Sequence, residues 1–214
     1  MDQCDNAQVY SHSAVPMGQS AMDHSVMNEL VPWLFPALWL LWGLYWWAQS
    51  RGVKTNVWAE SAPSRLLHVV PLMLAALLLA LDLPLFGLDE RILPRSMAIF
   101  WLGFSLAAAG LLFTVWARRH LAANWSGDVT IKEGHELITS GPYAWVRHPI
   151  YTGLLLGFAG SAVAVGEWRG LLALVVVIST LWRKLRLEER GMRQLFGERY
   201  IAYQQRVSAL IPFI

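Results

Sequence analysis

The chain offers a single cysteine, Cys4, which excludes an intramolecular disulfide and a cysteine-rich metal site. Charge is scarce as well. Only 15% of its 214 residues are Asp, Glu, Lys or Arg, where a soluble domain carries about 25%. Residues 1–28 lack Lys and Arg altogether, although they hold Asp2, Asp5 and Asp23. A secretory signal peptide needs a positive start and an apolar middle, so this stretch is not expected to be one. Its polarity predicts a disordered tail. His12 and His24 within it are a weak basis for a metal site. No repeat of about 20 to 50 residues recurs.

Apolar side chains, by contrast, make up 56% of the residues, and 12 of them are Trp. They come in long blocks. A helix crossing a bilayer needs roughly 20 mostly apolar residues, and Val31–Ala48, Leu66–Phe86 and Met97–Ala117 each qualify, with His68 and Asp82 only near the ends of the second. Ile150–Leu181 is too long for one span and is interrupted by Gly166-Glu167-Trp168-Arg169-Gly170. It reads as a tight helical hairpin of two short spans. The expected fold is all-α: a polytopic membrane protein with about five transmembrane helices, the last two a helical hairpin, plus a cytosolic C-terminal helix. Residues 1–28 form the tail, 29–117 three spans, and 118–214 the region where reactive side chains are dense.

Cytoplasmic loops collect Lys and Arg. With five spans, one set of loops holds 14 of the 17 basic residues, among them Arg51, Lys54, Arg118, Arg119 and Arg147, and the other only Arg91, Arg95 and Arg169. This predicts an extracytosolic N-terminus and a cytosolic C-terminus.

The loop Asn124–Tyr151 is long for a connection, and long ordered loops tend to be functional. Gly141-Pro142 signals a turn. Pro149 suits the first turn of a helix, where its missing donor is harmless, so His148-Pro149 should open the fourth span. Backbone donors at a helix start suit an anion. Gly153, Gly157 and Gly160 are expected to permit close helix packing. Beyond the hairpin, Arg183–Tyr203 reads helical. Lys184 and Glu188 share a face, as do Arg186 and Arg190, and Glu189 and Arg193. Taken by itself this is a salt-bridged basic helix at an anionic membrane surface.

Taken together, the two stretches resemble the C-terminal half of the isoprenylcysteine carboxyl methyltransferase family. The resemblance is carried by His135-x-Leu137-x-Thr139-Ser140-Gly141-x-Tyr143, by Trp145-x-Arg147-His148-Pro149-x-Tyr151-x-Gly153, by Glu188-Glu189, by Phe196-Gly197-Glu198-x-Tyr200, and by Tyr203, Arg206-Val207 and Ile211-Pro212-Phe213-Ile214. It implies an integral-membrane methyltransferase using S-adenosylmethionine, with S-adenosylhomocysteine as product, in residues 118–214. The chain has no Gly-x-Gly fingerprint of a soluble nucleotide fold, in agreement.

The resemblance further implies that His135, Glu136, Leu137, Ile138, Tyr143, His148, Pro149, Ile150, Tyr151 and Glu188 contact the cofactor. His135 and His148 also admit a structural reading. No metal site is expected, since zinc wants three or four protein ligands. Where the family places an Arg that holds an acceptor carboxylate, this chain has Lys184, beside Arg183. Together with Arg147 these are the expected acceptor-side cations, although Lys lacks the planar fork of Arg. The expected partners are a lipophilic or lipid-modified substrate and membrane lipids, with no nucleic acid. A phospholipid or amine N-methyltransferase, a reductase-like protein and a non-catalytic membrane protein remain open alternatives.

Overall fold

The computed structural model describes residues 17–50, 56–59, 61–82, 84, 86–121, 130–132 and 137–212, with backbone alone for 17–29, 56–59 and 130–132. Its helices are α1 (Met17–Gln49), α2 (Ala62–Ala80), α3 (Met97–Leu121), α4 (Pro149–Val165), α5 (Trp168–Phe196) and α6 (Glu198–Arg206). Three contain a stretch long and apolar enough to cross a membrane, Leu30–Gln49, Ala62–Ala80 and Met97–Leu121. Each overlaps one of the three apolar blocks, although the second runs from Ala62 and ends at Ala80, short of the expected Phe86. α4 is apolar but has only 17 residues, roughly 26 Å at 1.5 Å per residue. α5 is apolar up to Leu181 and charged beyond it. Gly166, at a left-handed φ of 65°, ends α4 and turns the chain into α5, so the expected hairpin is present.

Two features depart from expectation. α1 begins at Met17, so residues 17–28, read as part of a disordered tail, are helical; residues 1–16 lie outside the described part. A short antiparallel ribbon pairs β1 (Asn56–Ala59) with β2 (Thr130–Lys132), Trp58 standing opposite Ile131. Segments of three and four residues carry no readable periodicity.

Small residues set the closest contact, between α3 and α4. A Cβ on Gly110 would lie 2.5 Å from the Gly153 carbonyl oxygen, and a Cβ on Gly153 the same distance from that of Gly110. Gly103 and Gly160 face each other in the same way one level further along. With no hydrophobic drive between helices in lipid, this backbone approach supplies dispersion contact instead. α1 is held by two indole hydrogen bonds. Trp39 Nε1 donates to Ser161 Oγ on α4 at 3.1 Å, and Trp42 Nε1 to Thr114 Oγ1 on α3 at 2.7 Å. Polar groups at membrane depth need such internal partners. α5 closes the bundle, with Val177, Leu181 and Leu185 packed among Ala75, Tyr151 and Phe158.

A buried ion pair staples the hairpin turn. Arg169 Nε donates to Glu167 Oε2 at 2.6 Å, and Arg91 reaches Glu167 Oε1 at 3.3 Å and the Val165 carbonyl at 3.1 Å. The amides of Trp168 and Arg169 donate to the carbonyls of Glu90 and Leu88.

Gly110→Val should lower thermal stability in detergent by about 1 to 3 kcal/mol, the usual penalty for overpacking. Gly43→Val, where an added Cβ meets nothing within 4 Å, should leave it nearly unchanged.

Candidate active site where the helical hairpin meets the aqueous face

The entry to α4 is shaped by its approach. The 3-10 turn Gly141–Ala144 buries Pro142 and Tyr143. Gly141 has a φ of 59°, and a Cβ there would press on the His120 ring at 2.7 Å. His120 Nε2 in turn lies 2.9 Å from Ser140 Oγ. After this turn the chain runs beside its own C-terminal segment. The amides of Arg147 and His148 donate to the carbonyls of Ser208 (2.8 Å) and Ala209 (3.0 Å). Thr152 Oγ1 donates to the Leu210 carbonyl at 2.7 Å. One expectation is thereby modified: the His148 amide is already satisfied by the chain, and Pro149 has no N–H, so backbone donors at the very start of α4 are not the free anion cradle read from the sequence.

Arg147 points into the fold. Its Nε and Nη2 donate to Glu189 Oε1 at 2.8 and 2.6 Å, and its Nη1 donates to the carbonyls of Gln204 (3.2 Å) and Val207. One guanidinium therefore ties α5, α6 and the C-terminal segment together. His148 follows, 9% exposed. Its Nε2 lies 3.4 Å from Glu189 Oε1 and its Nδ1 3.5 Å from Glu188 Oε2. Carboxylates facing both ring nitrogens suit an imidazolium that donates from each. Burial works against that charge. The hydrogen bonds to Glu188 and Glu189, and their negative charges, outweigh it and raise the His148 pKa above 6.5. The two carboxylates respond in kind. For Glu189 burial is overcome by His148 and Arg147, and the pKa falls to about 2. For Glu188 burial is overcome by His148, the charge of Lys184 and the Tyr151 phenol, and the pKa again falls.

Tyr151 donates its phenolic proton to Glu188 and stacks parallel to His148, ring centroids 5.5 Å apart. Lys184 Nζ stands 5.8 Å from the Tyr151 ring centroid, one helical turn from Glu188. Burial and the charge of Glu188 raise the pKa of Tyr143 well above 10, so it stays a neutral phenol. Tyr203, pushed up to about 12 by burial, donates to the Tyr143 carbonyl at 2.5 Å.

Of the expected cofactor residues, the structure thus brings Tyr143, His148, Pro149, Tyr151 and Glu188 into or beside one cluster. Ile150 packs half-buried against the core, and Leu137 and Ile138 are half-buried before the turn. His135 and Glu136 lie outside the described residues. The three expected acceptor-side cations diverge. Lys184 stays at the cluster. Arg183 turns to α2, donating to Ser64 Oγ at 3.0 Å. Arg147 is engaged internally. The expected Glu189–Arg193 surface pair is replaced: Glu189 turns inward, and Arg193 Nε donates to Gln204 Oε1 at 2.7 Å. A buried carboxylate is the costlier one to leave unpaired. A signal for this existed, because Glu189 continues the stripe Leu181–Leu185, both fully buried.

Fold and site together define a polytopic helical membrane protein with a charged cluster where α4 begins and the apolar half of α5 ends. A family described as phospholipid methyltransferase matches residues 98–199. Protein-S-isoprenylcysteine O-methyltransferase of Rattus norvegicus is 34% identical over 142 residues, covering 60% of this chain and 48% of that protein. Protein-S-isoprenylcysteine O-methyltransferase B of Arabidopsis thaliana is 36% identical over 87 residues, 39% of this chain and 43% of that one. The solved eukaryotic intramembrane Ras methyltransferase, isoprenylcysteine carboxyl methyltransferase, shares the fold with a TM-score of 0.53 at 23% identity, over 72% of this chain and 54% of that chain. The chain is thus an integral membrane protein, similar over part of its length to the phospholipid methyltransferase family and to isoprenylcysteine carboxyl methyltransferases. It spans about half the length of the curated relatives it matches.

The cluster predicts a stability profile. Glu189, lowered from 4.5 to about 2, adds stability above about pH 4.5 that is lost as pH falls toward 2. His148, raised from 6.5, adds stability below about pH 6.5 that is lost as pH rises through its folded value. Both contributions are complete between about pH 4.5 and 6.5. Melting of the detergent-solubilised protein should show this, with Glu189→Gln giving a shallower acid limb and His148→Ala a shallower alkaline one. Arg147→Ala should destabilise by about 3 kcal/mol, since it strips the guanidinium from a buried carboxylate.

Proposed function

We propose that this protein transfers a methyl group from S-adenosylmethionine to a lipophilic acceptor, the carboxylate of an isoprenylated cysteine. The observation that carries the reading is the His148–Tyr151–Glu188–Glu189 cluster with Lys184 beside it. Its donor set fits the cofactor. Glu188, its side chain 25% exposed, can accept from ribose hydroxyls or an ammonium, and Tyr151 and His148 fix its orientation. His148, with a carboxylate at each ring nitrogen, holds Glu188 and Glu189 in place. Tyr143 and Tyr151 offer neutral aromatic faces to a cation or an adenine.

The cofactor supplies an already activated methyl, so the chain's task is alignment and exclusion of water. An acceptor carboxylate is a nucleophile without a base, and it needs a cation to hold it. Lys184 suits that role. Arg147 is better cast as a positioning residue, through Glu189. Arg183, turned toward α2, is the weaker candidate for contact with acceptor. The expected orientation, with the C-terminus in the cytosol, would let the cofactor arrive from water and the acceptor from the bilayer.

A second reading, transfer to a phospholipid amine, is favoured by the family description that matches residues 98–199. It requires a proton acceptor, and the candidates are poorly suited. Glu189 has a pKa near 2, and the carboxylates facing both His148 nitrogens raise its pKa and favour its protonated form, so neither is a ready base.

Calorimetry with S-adenosylhomocysteine should detect binding, weakened about tenfold or more in His148→Ala and Glu188→Ala, each of which removes a charged hydrogen-bonding group. Absence of binding by the parent protein would sink the methyltransferase reading. Labelled methyl from S-adenosylmethionine should pass to an N-acetylated S-prenylcysteine and not to phosphatidylethanolamine; the reverse would establish the second reading. Lys184→Ala should raise the KM for the prenylcysteine with cofactor affinity unchanged, and Lys184→Arg should restore it.

A further inference from the structure

The two acidic residues of the charged half of α5 both turn inward, and this leaves its outer stripe cationic. Glu188 and Glu189 are engaged with Tyr151, His148 and Arg147. On the other side Arg186, Arg190 and Arg193 are exposed and follow one another at spacings of four and three, hence on one face. Among the described residues none of the three forms an ion pair. Arg190 Nε donates to the Arg186 carbonyl, Arg193 to Gln204, and the Arg186 guanidinium lies over the Trp182 ring at 4.8 Å. The same stripe, followed back along α5, is apolar: Trp182 is 48% exposed and Val175 52%. A continuous helix face therefore changes from exposed hydrocarbon to exposed guanidinium at an interfacial Trp, as expected where a span leaves the acyl region for the headgroups.

We infer that this arginine stripe is a binding surface for anionic phospholipid headgroups in the leaflet from which α5 emerges. Charge complementarity names the occupant. Guanidinium groups pair bidentately with phosphate, and basic residues close to an anionic leaflet attract it until screening removes the effect within about 8 to 10 Å. Trp182 sets the depth of the first arginine. The surface is separate from the reactive cluster, so its test does not depend on methyl transfer.

Native mass spectrometry of the full chain in detergent, titrated with phosphatidylglycerol or phosphatidylcholine of matched acyl chains, reads the surface directly. Phosphatidylglycerol should bind in preference to phosphatidylcholine, and the triple variant Arg186→Gln/Arg190→Gln/Arg193→Gln should lose roughly tenfold or more of that binding. Arg95→Gln, which removes a charge before α3, should retain it. Glycerol phosphate without acyl chains should not compete at equal concentration. Equal uptake of the two lipids, or an unchanged preference in the triple variant, would overturn the inference. So would a soluble acidic peptide that displaces phosphatidylglycerol at equal concentration, which would assign the stripe to a protein partner. An unaltered melting temperature of the variant excludes misfolding as the cause.

Discussion

Burying a carboxylate is the constraint from which the reactive end of this protein follows. Glu189 ends an apolar stripe on α5, and at 7% exposure its charge must be answered from within the fold. Arg147 and His148 supply the answer from the start of α4. Having turned inward for Glu189, Arg147 also donates from Nη1 to the carbonyls of Gln204 on α6 and Val207 just beyond it. The amides of Arg147 and His148 then anchor Ser208 and Ala209. Around this one ionised group α4 begins, α6 folds back, and the His148 ring sits between Glu189 and Glu188.

The membrane part of the bundle obeys a different rule. Water is not available there to penalise exposed apolar surface, so many large apolar side chains face outward. Cohesion comes from shape and from hydrogen bonds satisfied inside. Glycines let α3 and α4 touch through their backbones, while two Trp indoles tether α1 to hydroxyls on both. α5 links the two regimes. Its apolar half packs in the bundle, and its charged half carries the carboxylates inward and the arginines outward.

Much of this organisation was legible in the residues. The three apolar blocks and the Gly-Glu-Trp-Arg-Gly interruption located the spans and the hairpin, because length and hydropathy are local properties. The His148-Pro149 start of α4 was legible from proline's preference for a first helical turn. The ribbon of Asn56–Ala59 with Thr130–Lys132 was not, since its strands are too short for a period and pair across about 75 residues of chain. Partner choice was also out of reach. Spacing put Glu189 and Arg193 on one face, and only burial revealed that Glu189 belongs to Arg147 and His148.

By itself, then, the sequence determined the helical class, the membrane setting, the family it resembles and the small set of candidate site residues, all properties of composition, period and motif. The tertiary structure decided how those side chains are employed. It turned Arg147 from a cation available to an acceptor into a brace, directed Arg183 to α2, left Lys184 beside the Tyr151–Glu188 pair, and covered the His148 amide with Ala209. The reason is physical. Desolvation penalties depend on what surrounds a charge, and those surroundings exist only once α4, α5, α6 and the C-terminal segment have met.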